Sequence, residues 1–256
     1  MSDPLHQTIL LSDIEGSGLR DDLEKPVIRR TMYEVIHAAL RTAGAEHTQY
    51  RTADRGDGVM VLVDPAVPKP RLLHALLRDL ADELTSRNRL ASPGTRVRLR
   101  VVLHAGEVRR DAEGESGADL DAAFRMLDAE PLRAALGATG GPVAVAVSEF
   151  VHHATVRHGY PGIAQESFRR TEFSSKEGLV PLWVHDPRWV LDPLAAPARP
   201  DGREQPVAPP AASAGAPTGT PDSGTGGTGG TGTTTLNAGV VHGDQFTGGK
   251  HYHGVV

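Results

Sequence analysis

Cysteine is absent from the 256 residues, which excludes a disulfide framework and any thiolate metal site. Basic residues are in deficit, 27 against 32 acidic for a formal charge of −5, and a general nucleic-acid binder needs the opposite balance. No stretch approaches the ~20 consecutive apolar residues of a membrane span. The opening Met1 to Gly16 is too short and too acidic for a secretory signal. The expectation is a cytoplasmic protein with neither nucleic acid nor membrane as a partner. Hydrophobic residues are also scarce, at 39%, below the usual globular share. That shortage falls mostly in the last quarter, where Gly, Pro, Thr and Ala dominate, so an ordinary globular sequence precedes a polar tail.

The globular part alternates in pattern. Thr8 to Ser12 is a short apolar run ending in the polar turn Asp13 to Gly18. Val27, Tyr33, Ile36 and Leu40 recur at helical spacing up to Gly44. His47 to Thr52 and Val59 to Val63 read as strands, joined through Asp54-Arg-Gly-Asp-Gly58 as a hairpin. Arg71 to Leu90 reads as one amphipathic helix, and Val97 to His104 as a central strand. Ala118 to Leu136 is a further helix, Pro142 to Val147 a strand, and Glu149 to His158 a short helix. Phe168 to Phe173 and Leu182 to His185 close the series. Strands and helices alternate without a strict βαβ repeat, which implies a sheet with helices packed on it.

Asp13 ends the first strand and Asp57 sits in the hairpin turn. Each alone is an ordinary turn residue. Together they would bind a hard divalent cation. Five stretches then resemble, in order, the catalytic domain of class III nucleotidyl (adenylyl/guanylyl) cyclases. They are Ser12-Asp-Ile-Glu-Gly-Ser17, Gly56-Asp-Gly-Val-Met-Val-Leu-Val63, Val101-Val-Leu-His-Ala-Gly-Glu-Val108, Gly117-Ala-Asp-Leu-Asp-Ala-Ala-Phe-Arg125, and Ser175-Lys176 with Gly178 to Val184. The resemblance runs from about Thr8 to His185 and implies an α+β, ferredoxin-like cyclase sheet over 1–193.

The resemblance also implies roles. Asp13 and Asp57, with the Ile14 carbonyl, would hold two Mg²⁺ or Mn²⁺ ions that activate a ribose hydroxyl and neutralise the triphosphate. Arg125 would stabilise charge on the phosphoryl group in transit, with Asp121 beside it where the family carries Asn. Lys176 would pair with phosphate oxygens, and Gly16, Ser17 and Gly18 would let the backbone approach the nucleotide. The substrate would be a nucleoside triphosphate. Because the two half-sites come from opposite subunits in the family, a homodimer is implied. The family's base-reading positions fall on Ala53 and Gly114, so its base preference does not carry over.

Other readings stay beside these. Arg125 also fits an exposed helical arginine paired with Asp121 or Asp128, and Lys176 a solvated loop cation. His104 reads as a buried, hydrogen-bonded histidine and Trp183 as core. Residues 194–235 read as a flexible linker. Residues 236–256 regain Val, Phe and Tyr among Gly, Asn and Gln, and resemble bacterial amyloid-signalling (RHIM-like) motifs that stack with a partner's like segment. A disordered tail, or a metal-binding tract through His251 and His253, are the alternatives there. Two functions follow: a cyclase, or a non-catalytic nucleotide-binding and dimerisation module recruited to an assembly by its tail.

Overall fold

The computed structural model describes residues 3–176 and 178–191. The chain divides into units 1–203 and 204–256, and the described residues all lie in the first. The expected linker over 194–235 and the tail motif over 236–256 lie outside the described residues.

The first half is β1 (Leu5–Ile14), α1 (Glu24–Thr42), β2 (Tyr50–Asp54), β3 (Gly58–Val63), α2 (Lys69–Leu77), α3 (Asp79–Leu90) and β4 (Leu99–Arg110). Its strands lie in the order β2-β3-β1-β4, antiparallel throughout, which is the ferredoxin-like split βαβ arrangement. The second half adds β5 (Glu115–Ser116), α4 (Ala118–Leu127), α5 (Glu130–Ala138), β6 (Val143–Ser148), α6 (Glu149–Ala154), β7 (Phe168–Ser175), β8 (Gly178–His185) and α7 (Arg188–Leu191). β6 pairs parallel with β4 through the α4–α5 crossover, and the full path is β2-β3-β1-β4-β6-β8-β7, with β5 paired to β4.

Two apolar layers hold the sheet. One face carries Leu10, Ile14, Val59, Val61, Leu99 and Val101 against α1, α2 and α3. The other carries Ile9, Leu11, Met60, Leu62 and Val102 against α4 and α5. Burial on both sides explains why Gly58 to Val63 is a continuous apolar run rather than an alternating one. The single helix expected over Arg71 to Leu90 is two, because the backbone departs from helical geometry at Arg78 (φ −115°, ψ −68°). The helix expected to reach Leu136 likewise breaks at extended Ala129, and Pro131 restarts α5 in its first turn, where a missing N–H costs nothing.

The His-x-Gly-Glu and Gly-x-Asp stretches interlock. Asp119 Oδ2 accepts the Glu107 N–H at 2.7 Å, and a Cβ on Gly106 would lie 2.2 Å from the Asp119 carboxylate carbon. A second close approach is at Gly117 (φ 151°), where a Cβ would meet the Glu107 carbonyl oxygen at 2.7 Å. Gly106→Ala should therefore push Asp119 off β4 and lower stability by about 2 kcal/mol in urea unfolding. An unchanged midpoint would refute the interlock.

His104 is 8% exposed, as the sequence implied. Its ring nitrogens have no hydrogen-bond partner, however, and Asp119 Oδ1 stands off at 3.8 Å. Trp183 is only half-buried: it stacks on His152 with centroids 3.4 Å apart and donates its indole N–H to Glu149. Burial holds His152 and His185 down to about 4. The unfolded chain takes up these protons near the ordinary histidine value of ~6.5, whereas the folded chain waits until lower pH, so stability is lost as the pH falls between the two. His185 should account for about 2 kcal/mol of that loss at pH ~5, and half-exposed His152 for less. Urea midpoints measured across this range should fall, and His185→Gln should flatten the slope.

Candidate active site

β1 carries Asp13 to the end of the sheet between two partners: it pairs with Gly58 of β3 and with Arg100 of β4. The β2–β3 turn closes beside it. Gly56 (φ 78°) supplies the left-handed backbone, and its N–H is held by Asp54 Oδ1 at 2.8 Å. The Ile14 N–H donates to the Asp57 carbonyl at 3.1 Å, which ties the turn to the strand end. A Cβ on Gly58 would meet the Ser12 carbonyl oxygen at 2.8 Å, so this approach needs glycine. The structure thus brings together three residues singled out in the sequence, Asp13, Ile14 and Asp57.

The two carboxylates are held differently. Asp13 is paired bidentately with Arg100, Nε to Oδ1 at 2.9 Å and the second nitrogen to Oδ2, with both side chains 14% exposed. Burial raises the Asp13 carboxyl above the ordinary range; the Arg100 hydrogen bond and charge oppose this, and the charges of Asp57 and Asp128 add to it. Asp57 is exposed and accepts the Ser17 hydroxyl at 2.5 Å. Gly16 (φ 67°) turns the chain after β1 so that Ser17 can reach back. A cavity of about 270 Å³ opens here, lined by Ile14, Ser17, Gly18, Lys25, Arg29 and Asp57 among others. Lys25 pairs with Asp22 at 3.2 Å and Arg29 with Asp54.

Among the described residues no group of three or more acidic or histidine side chains could hold a metal. The donor set at this corner is two carboxylates and main-chain carbonyls. It fits a magnesium-like ion that takes one or two carboxylates and fills its sphere with water and substrate phosphate. The Arg100 guanidinium is ion-paired with Asp13 at this corner.

The remaining sequence candidates lie elsewhere. α4 runs from Gly117, beside Glu107, back toward the Asp13 end, where the charge of Asp128 reaches Asp13. Arg125 is half-buried one turn before Asp128, and Asp121 is exposed about 6 Å further back along the helix axis. Lys176 is exposed in the β7–β8 turn. That turn lies four strands from β1 and beyond the opposite end of β6, because Asp13 faces Arg100 and Arg100 faces Ala144, whereas Ser148 faces Leu182. Strand spacing and rise put it on the order of 30 Å from Asp13. Within one chain the two do not meet. Ala53 packs against the α4-side cluster, and Gly114 sits in the β4–β5 loop. Arg100, Lys25 and Arg29 escaped the sequence reading. Arg100 had a visible signal, since alternation along β4 puts it on one face with His104.

No protein-family model and no curated protein matches the chain. Solved structures do. An adenylate/guanylate cyclase/hydrolase from Silicibacter pomeroyi aligns over 73% of this chain and 99% of its own, at 20% identity and a TM-score of 0.51. The fold is that of adenylyl and guanylyl cyclase catalytic domains. A bacterial light-regulated adenylyl cyclase aligns over 73% of this chain and 54% of its own, at 14% identity and a TM-score of 0.53. A guanylyl cyclase aligns over 72% and 92%, at 16% and 0.50. The cyclase fold accounts for the ferredoxin-like core, and at these identities the likeness is one of fold. No helix among the described residues is long and apolar enough to cross a membrane.

Proposed function

We propose that this chain is a nucleotidyl cyclase-like signalling protein. It takes a nucleoside triphosphate with Mg²⁺ or Mn²⁺ at the Asp13–Asp57 corner and forms a 3′,5′-cyclic nucleotide and pyrophosphate. The observation that carries the reading is a partly buried carboxylate already paired with a cation, Asp13 with Arg100, beside the exposed carboxylate of Asp57. Asp13, Asp57 and the Ile14 carbonyl would hold two ions, which supply Lewis-acid activation of the ribose hydroxyl and neutralise the triphosphate. Arg100, once displaced from Asp13, offers its planar fork to a phosphate oxygen. Ser17 and Gly18 line the cavity beside Asp57, and Lys25 and Arg29 bring positive charge to it. Lys176 is too distant within one protomer, so in this reading it comes from a second copy, and the family's split site implies the same for Arg125 and Asp121. That makes the homodimer part of the reading.

One set of positions favours a second reading. Ala53 offers no polar group to a base, and exposed Asp121 adds negative charge where a triphosphate would lie. The same fold would then bind nucleotide and dimerise without turnover, recruited to its assembly by residues 236–256 and a partner's like segment. Incubating the full chain with each of the four ribonucleoside triphosphates and Mn²⁺, then separating products by mass, distinguishes the two. A cyclic product that disappears in Asp57→Asn supports the enzyme. Retained triphosphate without product supports the module, and neither binding nor product sinks both.

A further inference from the structure

A separate cavity of about 420 Å³ opens where β4 and β6 begin, between the end of α3 and the α5–β6 loop. Its lining includes three arginines, Arg89, Arg96 and Arg98, with Asn88 and Gly141, and contains no carboxylate and no aromatic ring. Arg98 is fixed, donating to Glu15 Oε2 at 2.7 Å and to the Leu136 carbonyl. Exposed Arg89 and Arg96 have no carboxylate partner among the described residues. The walls that carry them are built. The Asn88 amide donates to the Val97 carbonyl at 2.7 Å and accepts the Val97 N–H at 2.9 Å, which pins the loop to α3. Arg20 holds the Arg96 carbonyl from the other side at 3.3 Å.

Cations in the last turn of a helix ordinarily offset its dipole, and Arg89 alone would need no other explanation. Arg96 and Arg98 belong to no helix, yet they line the same concavity. Glu15 offsets the charge of Arg98, whereas no carboxylate among the described residues pairs with Arg89 or Arg96, and a multiply charged anion would supply the missing counter-charge. Guanidinium forks match the oxygens of a phosphate group in bidentate geometry. Gly140 has nothing within 4 Å of where a Cβ would stand, so the loop leaves an open approach. Without an aromatic side chain, nothing there stacks on a nucleobase. The volume is that of a small-molecule pocket.

We propose that Arg89, Arg96 and Arg98 form a binding site for a small, multiply charged phosphate compound of the pyrophosphate class, recognised by its phosphates rather than by a base. It is distinct from the Asp13–Asp57 corner and stands whether or not that corner turns over.

The test is titration calorimetry on the full chain in metal-free buffer, with inorganic pyrophosphate, orthophosphate and adenosine monophosphate as probes. Pyrophosphate is expected to bind most tightly, and its affinity to fall about tenfold or more in Arg89→Ala/Arg96→Ala. Arg89→Lys/Arg96→Lys keeps the charge but loses the forks, and should lie in between. Both pairs are exposed, so ligand-free melting temperatures should match the parent. If the alanine pair does not fold, the lysine pair carries the test, with weaker binding supporting the site and parental affinity overturning it. The proposal is overturned if no probe binds, or if the alanine pair binds as the parent does. It is also overturned if Arg100→Ala removes binding while the alanine pair does not, or if the monophosphate binds more tightly than pyrophosphate.

Discussion

Mixing two inactive variants, Asp57→Asn and Lys176→Ala, restores cyclic-nucleotide formation that neither shows alone. Each substitution should lower turnover by about 10²–10³-fold, the scale of losing one charge-stabilising group in phosphoryl transfer. Both side chains are exposed, so neither change should disturb folding. The recovery follows from the sheet: Asp57 sits at one end beside β1, and Lys176 sits in a turn at the other end, four strands across. One protomer cannot bring them together, whereas two related by a twofold axis can, each site using the first residue of one copy and the second of its neighbour. Random mixing makes about half the dimers heterodimers with one intact site of two, so activity should return to about a quarter of the parent's. If the mixture forms dimers and stays inactive, the shared site is wrong.

Asp13→Val and Arg100→Val should each lower stability by about 3 kcal/mol, and the double variant by less than either. The reason is burial. Each single change leaves a charge at a position only 14% exposed without its partner, while the double change leaves two apolar side chains on adjacent strands. Urea unfolding of the four proteins closes the cycle. Additive losses would show that the pair is not coupled.

The legible part of the site is what local chemistry writes into the chain. The turn glycines at Gly16 and Gly56 mark sharp reversals whatever surrounds them, and Asp13 and Asp57 are visible as a strand end and a hairpin turn within an ordered set of motifs. The two long helices were misjudged because their apolar spacing continues across Arg78 and Ala129. Periodicity registers which side is buried, and both halves of each broken helix bury the same side. Trp183, read as core from its place near the closing strand, does pack against the α1-side cluster but stays half-open where it stacks on His152.

The sequence by itself determined the alternation of elements and the residues able to carry charge to a phosphate. Tertiary structure alone decided which of them meet. Arg100 lies 87 residues from Asp13 and joins it through strand register. Lys176 falls at the far end because β6 runs parallel to β4 and β8 antiparallel to β6. Arg89 and Arg96 gather around Arg98 because a loop is tied down by Asn88. Such encounters depend on strand order and register, which arise from long-range pairing, whereas turns and periodicity arise from neighbours along the chain.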